Sequence, residues 1–291
     1  MSRVLAIDIG GTKIEAGIVT TEGTIVRRAR VPSTDPLDAD ELFARVASVA
    51  AEVRVDGEPE VACGVGCGGP MRRGGSAVSP LNIAVWRDFP LQERLCEETG
   101  LVTHIDNDAK ALALAEGWLG AAVGVSDYLA MVVSTGVGGG IVLGGRLLDG
   151  ADGNAGHIGH VVVEPDGFEL PGHTRGVLEA EASGTAIAAR LGIPAARAPE
   201  AERRRVGTAV GRAVGSVANL LDLKLAVVAG SVALGFGDVF FRAAQAEVDR
   251  VATLQHSSGT RIVPAALGAD GPLVGAAAVG LRGIGQDVGG L

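Results

Sequence analysis

Asp8-Ile9-Gly10-Gly11-Thr12-Lys13, close to the N-terminus, is the stretch on which the predicted fold depends. Apolar residues 4–7 precede it and residues 14–18 alternate in hydrophobicity after it, so the pattern predicts a strand, a tight turn and a strand. The paired glycines allow close approach to the backbone. Backbone N–H groups, the Thr12 hydroxyl and the Asp8 carboxylate would then favour a phosphate-binding hairpin. On this stretch alone, an ordinary β-turn explains the pattern equally well.

Composition limits the classes of protein to which the chain can belong. Its 291 residues, 47% of them hydrophobic, allow a sizeable core and suggest two domains. A net charge of −9 argues against a nucleic-acid surface, and three cysteines fit free thiols in a reducing compartment. The sequence shows neither a signal peptide nor an apolar run of about 20 residues that could span a membrane. We therefore expect a cytoplasmic protein without nucleic-acid or membrane partners.

The order of apolar runs and turn residues predicts a repeat. Residues 1–119 read as β-β-β-α-β-α-β-α, with helices over residues 38–53, 90–99 and 109–119. A strand over 128–133, a glycine turn over Gly136–Gly140, and further strands over 141–143 and 146–148 repeat the opening pattern. This coarse repeat predicts two similar halves, each with a phosphate loop.

The rest of the chain alternates helices with single strands. The patterns predict helices from Glu179 to Leu191, over 200–221, from about 236 to 253 and over 272–281. Strands are expected over 225–228 and 261–263, the first of them ending in Ala229-Gly230-Ser231.

The glycine pattern distinguishes between three ways of binding a nucleotide. The P-loop sequence G-x-x-x-x-G-K-[ST] is absent. A dinucleotide fingerprint would open a helix, whereas the residues after Gly140 are typical of a strand. A glycine hairpin between two strands, used twice, is the arrangement that the sequence supports.

Five segments, in order along most of the chain, carry a resemblance to a known family. They are residues 7–13, 106–111 with Glu116, 134–140, 154–160, and 176–179 with Ser183 and Gly184. Each alone is a weak signal, but together they resemble the ROK family (repressors, open reading frames, kinases) of the actin-like, hexokinase-type phosphotransferases.

The resemblance implies an α/β fold with two domains. This is the actin-like (ribonuclease H-like) sugar kinase fold, with a duplicated βββαβα core and the active site in an interdomain cleft. Residues 1–107 with 272–291 would form the smaller N-terminal domain, and 108–271 the larger one. The resemblance further implies ATP and Mg²⁺ as cofactors, a sugar or sugar-like substrate, and a homodimer or homotetramer.

Asp108 is our candidate for the general base, because phosphoryl transfer to a sugar hydroxyl needs a carboxylate within hydrogen-bond reach of that hydroxyl. From the residues alone, Asn107 or Asp108 would more readily cap the following helix; the resemblance favours the base, and both roles can coexist. We interpret Asp106 as structural. The resemblance implies that Asp8 is the metal-binding residue and holds Mg²⁺ through bound water.

The resemblance also implies two sets of binding residues. Those expected to contact ATP are Asp8, Gly10, Gly11, Thr12, Thr135, Gly136, Gly138, Gly230 and Ser231. Those expected to contact the sugar, besides Asp108, are Asn82, Asn107, His157, His160 and Glu179.

The chain departs from the family pattern in two places. Many members hold a structural zinc with a histidine and three cysteines, but the cysteine positions here are Leu170, Gly172 and Val177, so we predict no structural zinc. His157 stands where the family has a sugar-contacting glutamate. A neutral imidazole offers one donor and one acceptor, whereas a carboxylate only accepts, so we expect an altered choice of substrate. A His157 side chain turned away from the sugar remains the alternative.

The function implied is ATP-dependent phosphorylation of a hydroxyl of a hexose or hexose-like sugar, as in glucokinases. Kinases of an amino sugar such as N-acetylmannosamine, or of a cyclitol, are the alternative. A transcriptional regulator is disfavoured because only seven residues precede Asp8. A non-catalytic sugar-binding protein is disfavoured by Asp108 and both phosphate loops. The sequence leaves open which sugar and hydroxyl react, and whether ATP or polyphosphate is the donor.

Overall fold

The computed structural model describes residues 2–288, which contain two five-stranded sheets. The strands of the first sheet are β1 (Arg3–Ile9), β2 (Lys13–Thr20), β3 (Ile25–Pro32), β4 (Ala62–Cys67) and β5 (Thr103–Asn107). Those of the second are β6 (Tyr128–Val133), β7 (Val137–Leu143), β8 (Arg146–Leu147), β9 (Leu225–Ala229) and β10 (Arg261–Pro264). The helices are α1 (Ala39–Val53), α2 (Leu91–Thr99), α3 (Asp108–Leu119), α4 (Leu178–Ala182), α5 (Gly184–Leu191), α6 (Glu200–Leu221), α7 (Ser231–Val251) and α8 (Gly271–Gly283).

The two sheets have the same topology, which confirms the predicted α/β fold class and its repeat. The first runs β3-β2-β1-β4-β5, and the second runs β8-β7-β6-β9-β10 when read in the same direction. In each, the first three strands are antiparallel neighbours and the last two run parallel to the central strand. The carboxyl ends of three parallel strands therefore meet at one edge of each sheet.

The first compact unit comprises, among the described residues, 2–123, 149–155 and 267–288. Strands β1 and β2 are largely buried, whereas β3 alternates half-buried and exposed residues because it is the edge strand. Helix α1 begins with Asp38 accepting the N–H of Glu41, and α2 ends at Gly100 in the left-handed conformation. Trp86, stacked on Phe89 with centroids 4.6 Å apart, completes the core.

Helices α3 and α8 belong to this first unit. A Cβ atom at Gly275 of α8 would lie 2.6 Å from the carbonyl oxygen of Ala111 in α3, and one at Gly64 of β4 would lie 2.0 Å from that of Ala276. Close packing through glycines thus ties both helices to the first sheet. The division into domains expected from the sequence is different, because it assigns the residues from 108 onward, and so α3, to the larger domain. Residues 1 and 289–291 of the expected smaller domain lie outside the described residues.

The second compact unit comprises residues 124–148 and 156–266. Helices α6 and α7 pack closely, because a Cβ at Gly207 would lie 2.4 Å from the Phe240 carbonyl oxygen and one at Gly211 would lie 2.3 Å from that of Ala244. Gly237, with φ of 58°, interrupts α7. The sequence pattern predicts a helix that starts at about residue 236, whereas α7 begins at Ser231; the interruption at Gly237 explains this difference.

One sequence expectation about the second unit is wrong. Gly136–Gly140 is not a turn: the turn occupies residues 134–136, and strand β7 begins at Val137. The glycines of β7 leave room for packing instead, since a Cβ at Gly139 would lie 3.1 Å from the Gly156 oxygen. Among the described residues, no helix is both long and apolar enough to span a membrane.

Candidate active site

The carboxyl edge of the first sheet brings two predicted site residues together. Asp8 lies near the end of β1 and Asp108 directly follows β5, with Gly66 of β4 between them. A Cβ atom at Gly66 would lie 3.6 Å from Oδ1 of Asp8 and 3.7 Å from Cα of Asp108. A residue without a side chain therefore separates the two aspartates, and this strand edge is where α/β folds commonly bind ligands.

Asp8 is a buried carboxylate with two acidic neighbours. Burial, and then the charges of Asp108 and Glu15, raise the pKa of Asp8 to about 7 from its ordinary 3.8, although Lys13 acts in the opposite direction. The cationic group of Lys13 itself pairs with Glu15. A cation beside Asp8 and Asp108 would relieve the repulsion between the two carboxylates.

The N-terminus of α3 fixes the side chains of Asn107 and Asp108. Oδ1 of Asn107 accepts the N–H of Ala109 at 3.0 Å, and Oδ1 of Asp108 accepts the same N–H at 2.8 Å. Asn107 is therefore the helix cap, as the sequence alone suggests. Asp108 stands in the first turn of the helix, where the helix dipole favours a negative charge.

Asp106, close to Asp108 in sequence, has a different environment. Nζ of the buried Lys110 lies 2.8 Å from Oδ1 of Asp106 and 2.8 Å from Oδ1 of Asp149. Oδ1 of Asp106 also accepts the N–H of Asn107 at 2.8 Å. Because its carboxylate is committed to these partners, Asp106 has a structural role beneath the β5–α3 junction.

The first glycine turn is held from within its own unit. The N–H of Gly10 donates to the Lys13 oxygen at 3.0 Å, and the hydroxyl of buried Ser33 donates to the Gly10 oxygen at 2.7 Å. A Cβ at Gly11 would lie 2.9 Å from Nδ2 of Asn82, so Gly11 is the residue that lets Asn82 approach. Thr12 is exposed.

The second turn, residues 134–136, is held by the start of α5. The N–H of Gly184 donates to the Ser134 oxygen at 2.7 Å, and the hydroxyl of Thr185 donates to the Thr135 oxygen at 2.9 Å. Thr135 is exposed, as Thr12 is in the first turn. Gly138, expected to lie in the turn, lies instead in β7 opposite Val132.

The turn after β9 lies against this second turn. Gly230 has φ of 100°, and a Cβ there would lie 2.3 Å from the oxygen of Val133. The hydroxyls of Ser134 and Ser231 are 3.0 Å apart. Ser231 is the first residue of α7, so a helix N-terminus is near the second turn, although the helical stretch that begins there is short because Gly237 interrupts it.

Glu179, in α4, also touches the second turn. Its Oε2 accepts the N–H of Val137 at 2.7 Å, and a Cβ at Gly136 would lie 3.0 Å from the same oxygen. Gly159 lies close by, since its Cβ would be 2.3 Å from the Val137 oxygen and 3.4 Å from Cβ of Glu179. Glu179, which is predicted to contact the sugar, is therefore hydrogen-bonded beside the turn that is predicted to bind phosphate.

Three histidines form a cluster in the second unit. The ring centroids of His157 and His160 are 6.1 Å apart, and those of His160 and His173 are 5.9 Å apart. Nε2 of His173 lies 3.5 Å from Oε1 of Glu179. His157 is half-buried and His160 is exposed.

Two of the three positions where the family has cysteines are apolar contacts here. Leu170 and Val177 lie in a small buried cluster with Ala180 and Ala186, against which Phe168 packs. Within residues 2–288, no group of three His, Cys, Asp or Glu side chains is placed to hold a metal ion. The absence of a structural zinc remains a prediction, which metal analysis after chelation and dialysis would test.

The predicted site residues thus fall into two groups in different units. The first contains Asp8, Gly10, Gly11, Thr12, Asn82, Asn107 and Asp108. The second contains Thr135, Gly136, Gly138, His157, His160, Glu179, Gly230 and Ser231. The residues that hold the turns and Glu179 were not identified by sequence reasoning as site residues; they are Ser33, Ser134, His173 and Thr185. Their contacts join distant parts of the chain, which no local pattern connects.

The donor set in the first unit fits a divalent cation. Oxygen atoms are the ligands that Mg²⁺ prefers, and Asp8 supplies a carboxylate whose pKa is raised by burial and by the neighbouring Asp108.

Comparison with known proteins agrees with these features. The chain is 38% identical to a glucokinase of Thermotoga maritima over 187 residues, which span 64% of this chain and only 58% of that relative. It is 34% identical to an N-acetylmannosamine kinase of Yersinia pseudotuberculosis over 254 residues, 81% of this chain and 86% of that one.

Solved structures share the fold over nearly the whole chain. A ROK hexokinase from Thermus thermophilus is 32% identical with a TM-score of 0.80, over 97% of this chain and 99% of that one. A ROK family glucokinase from Streptomyces griseus, in complex with glucose and AMPPNP, is 28% identical with a TM-score of 0.82, over 97% and 100%. The fold is thus the actin-like ATPase fold of these proteins. The model of the ROK family matches residues 4–282, and the chain belongs to that family.

Proposed function

We propose that this chain transfers the γ-phosphoryl group of ATP to a hydroxyl of a hexose or hexose-like sugar, with Asp108 as the general base. The observation that carries the proposal is the pair of aspartates, Asp8 and Asp108, at the carboxyl edge of parallel strands. Relatives named glucokinase and hexokinase support this class of reaction.

Asp108 would remove the proton from the attacking hydroxyl. The sugar oxygen forms a bond to the γ-phosphorus, the bond from that phosphorus to the bridging oxygen breaks, and ADP leaves. The proton passes to the Asp108 carboxylate, which the Ala109 N–H holds in one orientation through Oδ1. Positioning and charge stabilisation would supply most of the rate enhancement.

The second turn and the start of α7 would bind phosphate oxygens. Backbone N–H groups in a glycine turn and the positive end of a helix both favour anions. The exposed hydroxyls of Thr12 and Thr135 can donate further hydrogen bonds. Asp8 would hold Mg²⁺ through bound water, and the bound cation would neutralise phosphate charge.

The acceptor would meet polar groups on several elements. Those proposed are Asn82, Asn107, His157, His160 and Glu179. Each sugar hydroxyl buried without a partner costs about 1–3 kcal/mol, so the number and type of these groups decide the substrate. An amino sugar is the second candidate, because the N-acetylmannosamine kinase covers more of this chain than the glucokinase does.

The test is acceptor-dependent ADP release, measured with hexoses, amino sugars and cyclitols. We expect Asp108→Asn to lower kcat by about 10²–10⁴-fold, as loss of a general base does, with little change in melting temperature. Asp106→Asn is the matched control, because it changes a nearby carboxylate that serves the Lys110 ion pair; it should lower stability and keep kcat within about threefold. Acceptor-dependent ADP release that persists in Asp108→Asn would exclude Asp108 as the base.

The role of His157 is tested by the ranking of acceptors. Because imidazole and carboxylate differ in the hydrogen bonds they make, His157→Glu should change which acceptor has the highest kcat/KM. An unchanged ranking would show that His157 does not select the substrate.

A further inference from the structure

Glu179 has a second neighbour besides the glycine turn. Its Oε2 is fixed by the Val137 N–H at 2.7 Å, while its Oε1 faces Nε2 of His173 at 3.5 Å. A carboxylate with a donor near each oxygen is restricted in its orientation. His173 is therefore placed to orient the outer oxygen of Glu179.

The surroundings of His173 identify its tautomer. Its Nδ1 is buried and has no hydrogen-bond partner within residues 2–288, whereas Nε2 faces the carboxylate. A neutral imidazole carries its proton on one nitrogen, and a buried N–H without a partner costs about 1–3 kcal/mol. The proton therefore belongs on Nε2, from which it points at Glu179.

The segment that carries His173 is well held. The N–H of His173 donates to the Leu170 oxygen at 2.9 Å, and that of Gly176 donates to the Phe168 oxygen at 3.0 Å. The buried side chains of Leu170 and Val177 anchor both ends of this segment in the small apolar cluster. The backbone that carries His173 is thus held within its own segment.

We propose that His173 is a positioning residue that donates from Nε2 to Glu179 and sets the orientation of this carboxylate for the acceptor. The same contact links the histidine cluster to the second glycine turn, because Glu179 holds both His173 and Val137. The role in catalysis rests on the proposed function, whereas the His173–Glu179 contact itself does not.

The kinetic test compares three variants. His173→Ala removes the donor and should raise the KM for the acceptor about tenfold, the effect of one hydrogen bond to a charged group, with the KM for ATP within about twofold. His173→Gln keeps an N–H donor of similar reach and should recover most of that loss. His256→Gln is the matched control, since His256 is exposed and contacts only the Asn219 oxygen among the described residues. An unchanged acceptor KM in His173→Ala, or equal losses in the Ala and Gln variants, would overturn the proposal.

A spectroscopic test needs no catalytic activity. Long-range ¹H–¹⁵N NMR of the imidazoles should show the wild-type His173 as the Nε2–H tautomer, and Glu179→Gln should shift its signals while leaving those of His256 unchanged. An Nδ1–H tautomer, or signals insensitive to Glu179→Gln, would contradict the contact. If the wild type releases no ADP with any acceptor, the proposed function fails, and this spectrum still decides on His173 and Glu179.

Discussion

The two glycine hairpins have the same backbone plan and opposite chemistry. Residues 10–12 connect β1 to β2, and residues 134–136 connect β6 to β7. One pair away from the turn, the first hairpin places Asp8 opposite Glu15, whereas the second places Val132 opposite Gly138. Only the first hairpin carries carboxylates on its own strands at this position.

This difference indicates that the strand residues, and not the glycines, decide what each hairpin can bind. In the first hairpin, burial, and then the charges of Asp108 and Glu15, raise the pKa of Asp8 to about 7, so a cation beside this carboxylate is favoured. The second has the start of α7 beside it, which favours an anion. Its carboxylate, Glu179, comes from α4 and is already hydrogen-bonded to Val137. A duplicated fold has therefore acquired two specialised halves.

The largest effect should follow from removing the charge that distinguishes the first hairpin. Asp8→Asn should lower kcat for acceptor phosphorylation by about 10²–10³-fold, because a preorganised charge at the reacting phosphate is lost. Steady-state ADP release at saturating acceptor and Mg²⁺ measures it.

Val132→Ala is the control at the equivalent position of the second hairpin. It changes a side chain without charge and should keep kcat within about threefold. If both variants retained kcat, the acidic pair of the first hairpin would have no part in catalysis, and the contrast between the hairpins would be one of packing only.

A second prediction concerns stability against pH without divalent cations. Because the pKa of Asp8 in the folded protein is about 7, above its ordinary 3.8, the folded state binds the proton more tightly, and this residue lowers stability as pH rises from about 4 to 7. Each unit of the difference between the folded and unfolded pKa corresponds to about 1.4 kcal/mol. Because screening by water reduces the summed value, we expect a loss of stability of about 2 kcal/mol in total.

Asp8→Asn should therefore raise the melting temperature at pH 8 by several degrees and raise it clearly less at pH 4.5. Mg²⁺ should stabilise the wild type at pH 8 more than it stabilises the variant. A melting temperature of Asp8→Asn at or below that of the wild type at pH 8 would show that the ionised Asp8 does not destabilise the folded protein. Asp56→Asn, at an exposed carboxylate, controls for the loss of one charge.

The backbone plan of both hairpins could be predicted from sequence because it is written in local patterns. A continuous apolar run identifies β1, alternating hydrophobicity identifies β2, and the helical period identifies α1. The glycines of β7 misled this reasoning, since glycine is the commonest turn residue. Their actual reason is the approach of Gly156 to Gly139, which joins segments that no local pattern connects.

The candidate site was predictable only in part, for the same reason. Asp8, Asp108 and Glu179 lie in recognisable motifs. The residues that orient them do not: Lys110 pairs with Asp149, and His173 meets Glu179 from a loop. Only the folded structure identifies such partners, because two side chains can be in contact at any separation along the sequence.

A third prediction compares the glycines of the two turns. An added Cβ at Gly11 would meet Nδ2 of Asn82 at 2.9 Å, and one at Gly136 would meet Oε2 of Glu179 at 3.0 Å. Both neighbours are side-chain ends that can move, so Gly11→Ala and Gly136→Ala should fold and raise the acceptor KM by about three- to tenfold. Gly74→Ala is the control variant, because its added Cβ would meet no described atom within 4 Å although its φ is positive. It should lower stability and leave the acceptor KM unchanged. An acceptor KM unchanged in both turn variants would mean that neither Asn82 nor Glu179 is placed by its glycine.

The smallest effects should come from the hydroxyls that hold the turns, and they should differ between the halves. Ser33 is buried and donates to the Gly10 oxygen at 2.7 Å, whereas Thr185 is exposed and donates to the Thr135 oxygen at 2.9 Å. Loss of a buried donor leaves the carbonyl without a partner, while water can replace an exposed one. Ser33→Ala should therefore lower the free energy of unfolding by about 1–2 kcal/mol, and Thr185→Val by about 0.5 kcal/mol or less, with Thr185→Ser as the variant that keeps the hydroxyl. Thermal unfolding monitored by calorimetry measures both losses. Equal losses would show that the two turns are held equally firmly, and that the difference between the hairpins lies in their charges alone.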